Sequence, residues 1–205
     1  MRVSSDTPEW GITLNNAALI VNLASLGPVW CMEGWFNFSR ATAVWGLMNL
    51  YNNTLAKNAV TLGTNGGGAL QLLNYIQAPI AQSYQPLIGA WIHLAVTCAD
   101  GVCTLYHDGR AVFSVRPTNV NFTNLILAVG RVIDGDGFDW QGFVSFSNIR
   151  ISNVIRYAGT FSPQFPLTSD AATQVLLRGN PVNATSAGSG SVTYSPMPAL
   201  GSYIP

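Results

Sequence analysis

Charged side chains are scarce in this sequence of 205 residues. They make up 9% of it, nine basic against nine acidic, and Lys57 is the single lysine. Proteins that bind nucleic acid or anionic membranes carry a basic patch or stripe, so we predict no nucleic-acid partner. No apolar run reaches the roughly 18 residues that a membrane-spanning helix needs, and we therefore also predict no insertion into a membrane.

The sequence also lacks the residue pairs that most hydrolytic sites use. Glycoside hydrolysis needs two carboxyl groups about 5 to 10 Å apart across the sugar, but the only glutamates are Glu9 and Glu33, and no acidic pair is spaced along one strand face. His93 and His107 have no neighbouring nucleophile, and no CxxC or HExxH spacing occurs. We interpret His93 as a strand histidine with satisfied hydrogen bonds and predict that the protein is not an enzyme.

Cysteine is limited to three residues, an odd number that argues against a disulfide scaffold. Cys98 and Cys103 flank a predicted turn and would face each other in a non-hydrogen-bonded pair, close enough for a somewhat strained cross-strand disulfide. The alternative is that these two and Cys31 are buried thiols that act as small apolar side chains. The sequence leaves both interpretations open.

Hairpin signals are abundant. The stretch from Trp91 to Val115 is typical of three antiparallel strands, with Asp100-Gly101 and Asp108-Gly109 as tight turns. Its first strand is apolar at nearly every position, which indicates that both of its faces are covered and that a second sheet exists. We therefore predict an all-β fold, a two-sheet antiparallel β-sandwich. Its core should include Trp35, Trp91, Leu94 and Val96.

The length and the 48% hydrophobic content indicate one domain. We predict an N-terminal arm over residues 1–11, the sandwich over 12–178, and an extended C-terminal tail over 179–205, which is rich in Gly, Ser and Pro. The arm and the tail should contact other subunits, because their scattered apolar residues cannot form a core alone. Further predicted elements are strands near 12–26, 30–38, 43–49, 58–62, 69–76, 125–132, 142–146, 148–152 and 174–177, a connection over 77–89 and a helical turn near 153–157.

An acidic, glycine-rich loop follows the strand that is predicted to end at Val132. Asp134, Asp136 and Asp139 alternate with glycines that would let the backbone wrap a Ca²⁺ ion, although such a loop is also a good solvated turn. Phe138 and Trp140 adjoin it, and their rings could stack on a sugar or belong to the core. We predict that this loop is exposed at the sandwich rim, with the three aspartates as candidate calcium ligands and the two aromatic residues as candidate ligand-binding residues.

Four stretches resemble the signature of a known superfamily. Residues 91–97 and 105–109 are similar to "W-x-H-[VL]-A-V-T … L-Y-x-D-G", 33–36 to "E-x-W-F", 147–151 to "S-N-x-R-I", and 156–163 to "R-Y-x-G-x-F-x-P". Over roughly residues 15 to 178 the chain thus resembles laminin G-like modules of the concanavalin A-like lectin superfamily. The resemblance implies a jelly-roll sandwich, and many members carry Ca²⁺ at the rim. One departure is that Gly142 and Arg150 are eight residues apart instead of about six, which predicts a bulge or a shifted register.

The last of these motifs is most familiar from modules of bacteriophage tail and other virion proteins. The resemblance therefore implies a structural and adhesion protein at the virion surface, a tail-fibre, receptor-binding or capsid-decoration module that binds host-surface glycans. Its partners would be other virion subunits or copies of itself, reached through the terminal segments. The first ten residues lack a signal-peptide pattern, which favours this interpretation. The alternative is a secreted, extracellular carbohydrate-binding or adhesion domain; a hydrolase would need acidic motifs that are missing.

Overall fold

The computed structural model describes residues 10–15, 18–23, 25–38, 46–65, 68–73, 79–83, 89–117, 121–133, 139–141, 143–177, 185–187 and 191–196. These residues form β-strands joined by turns and irregular segments. The strands are β1 Trp10–Asn15, β2 Ala18–Asn22, β3 Trp30–Phe38, β4 Met48–Asn52, β5 Lys57–Thr64, β6 Leu70–Leu73, β7 Pro79–Ser83, β8 Trp91–Ala99, β9 Val102–His107, β10 Arg110–Val115, β11 Leu125–Val129, β12 Arg131–Ile133, β13 Asp139–Gln141, β14 Phe143–Ser152, β15 Thr173–Leu177, β16 Thr185–Ala187 and β17 Ser191–Pro196.

The strands form two large sheets. Sheet 1 has the order β10-β9-β8-β3-β14-β1-β17, with β15 also pairing with β14, and sheet 2 has the order β16-β2-β11-β4-β5-β6-β7. Strands β12 and β13 form a separate two-stranded ribbon. Every described pair is antiparallel, which confirms the predicted two-sheet β-sandwich. In the described part of the chain, no helix has the length and apolar character needed to cross a bilayer.

Side-chain alternation places the core between the two sheets, because successive residues of a strand point to opposite faces. In β3, Trp30, Met32, Phe36 and Phe38 belong to the buried cluster between the sheets. The intervening residues, Glu33 among them, face the outer side of sheet 1. The outer face is also covered, and this explains why the central strands are apolar or buried at nearly every position.

The two Asp-Gly hairpin turns form as predicted. Asp100 and Gly101 have φ angles of 50° and 72°, and Asp108 and Gly109 have φ angles of 46° and 79°. Consecutive positive φ values are the geometry of a type I′ turn, whose twist matches that of the flanking strands. The predicted bulge in β14 is confirmed too. Its register against β3 shifts between Ser147 and Arg150.

Several local predictions were incomplete or wrong. Leu94 and Val96 lie in the core between the sheets, and Trp35 is buried, but on the outer face of sheet 1. Trp91 is only half-buried, at the first position of β8, where it is in register with Asn37 of β3. The segment predicted as a connection over 77–89 contains the strand β7. Residues 153 and 154 form a bend and 155–157 have no regular structure, so no helical turn forms there.

Parts of the predicted arm and tail also belong to the sheets. Strand β1 begins at Trp10, inside the predicted arm, and it lies between β14 and β17 in sheet 1. Strands β16 and β17 lie in the predicted tail and pair with β2 and β1. A Ser- and Gly-rich composition did not indicate strands, but backbone pairing needs no apolar pattern when a neighbouring strand offers free hydrogen-bonding groups. Contacts of these segments with other subunits stay a prediction.

Candidate functional site

The predicted rim loop lies almost entirely outside the described residues. Asp134, Asp136 and Phe138 are not described, and Asp139 and Trp140 are described only through the backbone of β13, which pairs with β12. Within the described ranges, no group of three or more His, Cys, Asp or Glu side chains could hold a metal ion. The calcium ligands and the two ligand-binding aromatic residues therefore stay predictions.

A buried ionic network centred on Glu33 occupies the outer face of sheet 1. Glu33 Oε1 accepts a hydrogen bond from Arg150 Nε at 2.8 Å and lies 2.6 Å from Arg150 Nη2. The hydroxyl of Tyr157 donates to Glu33 Oε2 at 2.6 Å, and His93 Nε2 lies 3.1 Å from the same oxygen. Glu33 and His93 have no exposed surface, and Arg150 is 4% exposed. Both carboxylate oxygens of Glu33 thus have charged or polar partners, as a buried carboxylate requires.

This network sets the protonation of Glu33. Burial alone would raise the pKa of the Glu33 carboxyl, but hydrogen bonds from His93 and Tyr157 and the charge of Arg150 outweigh it and lower this pKa below its ordinary value. Burial, together with the Glu33 charge, raises the pKa of the Tyr157 hydroxyl. Glu33 therefore stays ionised and Tyr157 neutral over the physiological range, so neither is poised for proton transfer.

Residues 153–170, here called the covering segment, lie over this network. Its backbone is held by the amide of Phe161, which donates to the Gly109 carbonyl, and by Trp35 Nε1, which donates to the Gln164 carbonyl. Arg150 Nη1 donates to the Thr168 carbonyl at 2.7 Å. Aromatic contacts add to this: the rings of Tyr157 and Phe161 stack with centroids 3.5 Å apart. The covering segment thereby buries Glu33, and the network serves to hold it in place.

In the sequence these residues belong to four separate motifs, and nothing there indicated that they meet. The structure brings one residue of each motif together: Glu33, His93, Arg150 and Tyr157. One signal in the sequence could have found this cluster. Glu33 and Arg150 are charged residues inside strands that are otherwise apolar, and a carboxylate buried in such a strand needs a buried partner. His93 is a buried strand residue, as predicted, but its hydrogen bonds are satisfied only in part: Nε2 meets Glu33, whereas Nδ1 has no partner among the described residues.

A different surface lies at one end of the sandwich, where the β4–β5 turn meets the segment before β11. We call residues 52–55 and 121–124 the asparagine rim. The two parts are joined by the Asn53 amide, which donates to the Asn124 carbonyl, and by Asn52 Nδ2, which donates to the carbonyls of Asn121 and Thr123. Asn52 is buried and ties the rim to the sheet, whereas most of the other rim residues are exposed.

The exposed side chains of the rim are held with part of their hydrogen-bonding capacity unused. Asn121 Oδ1 accepts from the amide and hydroxyl of Thr123, and Asn124 Nδ2 donates to Thr54 Oγ1. Among the described residues, Asn121 Nδ2 and Asn124 Oδ1 have no further partner, and the side-chain amide of Asn53 has none. Leu55 stands beside them with 48% of its surface exposed. The rim thus offers fixed, uncharged donors and acceptors next to an apolar side chain.

A second neutral polar group lies on the outer face of sheet 2. Asn49 Nδ2 donates to Thr61 Oγ1 in the neighbouring strand, and Gln71 lies opposite Gly63 in the next strand pair. These three polar side chains are at most 1% exposed, and Gln71 Nε2 has no partner among the residues that the structure describes. Because these three side chains are covered, a ligand in solution cannot contact them, whereas it can contact the exposed asparagine rim.

Comparisons with known proteins identify the fold and no closer relationship. No family model and no curated protein matches the sequence. Among solved structures, one from Bacteroides ovatus, named as a candidate carbohydrate-binding protein, superposes with a TM-score of 0.68 at 13% identity, covering 94% of this chain and 61% of that one. This chain therefore spans about three fifths of the Bacteroides protein. The heptameric SAP-like pentraxin of Limulus polyphemus gives a TM-score of 0.65 at 10% identity, covering 98% of this chain and 100% of that one.

A third neighbour is domain 4 of AbnA, a GH43 extracellular arabinanase from Geobacillus stearothermophilus, solved in complex with arabinotriose. Its TM-score is 0.50 at 19% identity, and the match covers 74% of this chain and 71% of that one. At such identities the likeness concerns architecture alone. The chain is a jelly-roll β-sandwich, as predicted.

Proposed function

We propose that this protein is a non-enzymatic module that binds uncharged carbohydrate through the asparagine rim and is displayed on the surface of a virion. The observation that carries the binding part is the chemistry of the rim. A neutral sugar presents hydroxyl groups at its edge and C–H groups on its faces, which match amide groups beside an apolar side chain such as Leu55. The low overall charge of the chain also favours a neutral ligand over an ionic one.

The side-chain amides of Asn121 and Asn124 are already held in place, and this lowers the entropy cost of binding a ligand. Asn121 and Asn124 each use one side-chain atom within the rim. Their remaining atoms can meet a ligand without a large loss of side-chain freedom. Two neighbouring folds, the Bacteroides protein and the AbnA domain, bear names that refer to carbohydrate binding or were solved with a sugar. They support the proposal by analogy of architecture.

The non-enzymatic part rests on the state of the buried carboxylate. Glu33 is covered by residues 153–170 and is saturated by its partners. A general acid or base must reach the substrate within hydrogen-bond distance, and Glu33 lies on the far side of the covering segment.

The binding proposal is tested with a glycan array probed by the labelled protein, followed by titration of any sugar that binds. Replacing Asn53 and Leu55 by Ala should weaken binding about tenfold, which corresponds to about 1.4 kcal/mol. Thr160→Ala with Gln164→Ala is the matched control, since both residues are exposed on the covering segment, and this control should bind like the unaltered protein. Unchanged binding by the rim variant would show that the binding site lies outside the asparagine rim. If no glycan binds the unaltered protein, the proposed carbohydrate binding is refuted.

The calcium prediction is checked by two measurements with and without a chelator: glycan binding on the array and the melting temperature of the protein. If Asp134, Asp136 and Asp139 hold an ion, millimolar Ca²⁺ should raise the melting temperature, because a ligand that binds only the folded state stabilises it. An unchanged melting temperature would remove calcium from the proposal.

The virion part rests on the motif Arg156 to Pro163, which resembles modules of phage particles, and on the uncharged polar surface. Mass spectrometry of purified virions from the source of this sequence should detect the protein, and immunogold labelling should place it on the particle surface. Its absence from particles, combined with glycan binding, would favour the alternative of a secreted extracellular adhesion domain.

A further inference from the structure

The cysteines of the β8–β9 hairpin lie directly opposite each other. Cys98 in β8 is in register with Cys103 in β9, and the next pair, Ala99 with Val102, closes the Asp100-Gly101 turn. In a hairpin with a two-residue turn, the closing pair is hydrogen-bonded and the pair before it is not. Non-hydrogen-bonded pairs have Cα atoms about 4.5 Å apart, within the range that a disulfide spans. Both thiols are free in the structure.

We propose that Cys98 and Cys103 are a covalent modification site, a dithiol that a small-molecule disulfide such as oxidised glutathione converts to a cross-strand disulfide while Cys31 remains a thiol. The proposal is independent of carbohydrate binding. It rests on the register of the hairpin and on the face of the sheet that each cysteine occupies.

Cys31 is separated from the pair by the sheet itself. It lies in β3, where its neighbour Trp30 is in register with Cys98 and belongs to the core between the sheets. Because side chains alternate, Cys31 points to the outer face, whereas Cys98 and Cys103 belong to the core cluster. A disulfide between Cys31 and either of them would have to pass through the backbone layer.

The reaction proceeds in two exchange steps. The thiolate of Cys98 attacks one sulfur of oxidised glutathione, which forms a mixed disulfide and releases one glutathione thiolate. Cys103 then loses its proton and attacks the Cys98 sulfur, which releases the second glutathione. Two protein thiols are oxidised and one glutathione disulfide is reduced to two thiols. A hydrogen bond from Cys103 lowers the pKa of the Cys98 thiol, and the positive charge of Arg116 acts in the same direction, so Cys98 is the attacking group.

Access is controlled by the end of the hairpin. The two thiols are at most 1% exposed, but the turn beside them includes the exposed Asp100. Hairpin ends open locally at a lower free-energy cost than the whole domain. The cysteines are also close in sequence, so the hairpin that joins them is a local contact with a short loop. A refolding experiment therefore tests whether the pair reacts before the second sheet covers it.

The experiment uses the full chain in two arms: the folded protein incubated with a glutathione mixture, and the urea-unfolded protein refolded in the same mixture. Each sample is quenched with acid, alkylated in denaturant and cut with trypsin. Trypsin separates residues 3–40, which contain Cys31, from residues 58–110, which contain the pair. The expected result is one alkyl group on peptide 3–40 and none on peptide 58–110. Peptide 58–110 should be about 2 Da lighter than its reduced, unalkylated form, because oxidation removes two hydrogens.

Cys31→Ala is the control variant, and its peptide 58–110 should change in the same way. Oxidation in the refolding arm alone would also support the site and would place the reaction before the core closes. Full alkylation of peptide 58–110 in both arms would overturn the proposal, as would a disulfide that joins it to peptide 3–40.

Discussion

Glu33 is the residue on which the outer side of sheet 1 depends most. Replacing it by Gln would leave Arg150 buried at 4% exposure without its counter-charge. Removing one partner of a buried ion pair typically costs about 3 to 5 kcal/mol, and we expect a loss of this order in the free energy of unfolding. Urea denaturation measures it. Asp170→Asn is the control: it breaks the ion pair with Arg156 at the surface and should cost less. Equal losses in the two variants would contradict this assignment.

The same residue predicts how stability depends on pH. Its folded-state pKa is lowered, so its contribution is fully present above the unfolded pKa of about 4.3 and is lost as the pH falls through the folded value. The Glu33 contribution to the urea midpoint should therefore be constant from pH 7 to about 5 and decline below that. Burial lowers the pKa of the His107 imidazole, so a decline that begins between pH 7 and about 5 belongs to His107. The pKa of Asp170 is lowered too, chiefly by its hydrogen bond from Arg156, so part of the decline belongs to Asp170. The decline should be shallower in Glu33→Gln; an unchanged slope would show that other carboxyl groups cause it.

At the scale of elements, the covering segment and the β9–β10 turn depend on each other. Gly109 has a φ of 79°, and a Cβ at this position would overlap the carbonyl oxygen of Phe161. Gly109→Ala should therefore displace the segment and destabilise the fold by more than about 1 kcal/mol. Limited proteolysis within residues 153–170 should become faster. Gly159→Ala is the matched control, because a Cβ there meets nothing within 4 Å. If both variants resist proteolysis equally, the turn does not hold the segment.

Elements with a strong local pattern could be predicted from the sequence, and elements that depend on distant partners could not. The β8–β9–β10 hairpins formed as predicted, because Asp-Gly turns fix both register and twist locally. By contrast, β16 and β17 exist through pairing with β2 and β1, more than 160 residues away in sequence. The asparagine rim was missed for the same reason: Asn52 and Asn121 are turn residues individually, and only the fold joins them.

At the scale of the whole molecule, the C-terminal strands close one side of the sandwich. Strand β17 covers β1 in sheet 1, and β16 covers β2 in sheet 2. Truncation after residue 182 should therefore lower the urea midpoint and promote association, because it leaves β1 and β2 as unpaired edges. Removal of residues 197–205 is the control, since it retains both strands. Size-exclusion chromatography and urea unfolding report the two effects, and a truncated chain that is as stable and monomeric as the control would refute this role.

The pairing of β1 with β17 also determines how the module responds to mechanical load. Trp10 is in register with Pro196, so the start of β1 and the end of β17 lie side by side. A force that pulls these two points apart acts perpendicular to the strands and breaks the hydrogen bonds of the β1–β17 ladder one after another. Strands pulled along their length would instead share the load among all their bonds. The sandwich would therefore yield at low force when tethered through both ends and keep its edge closed when held by one.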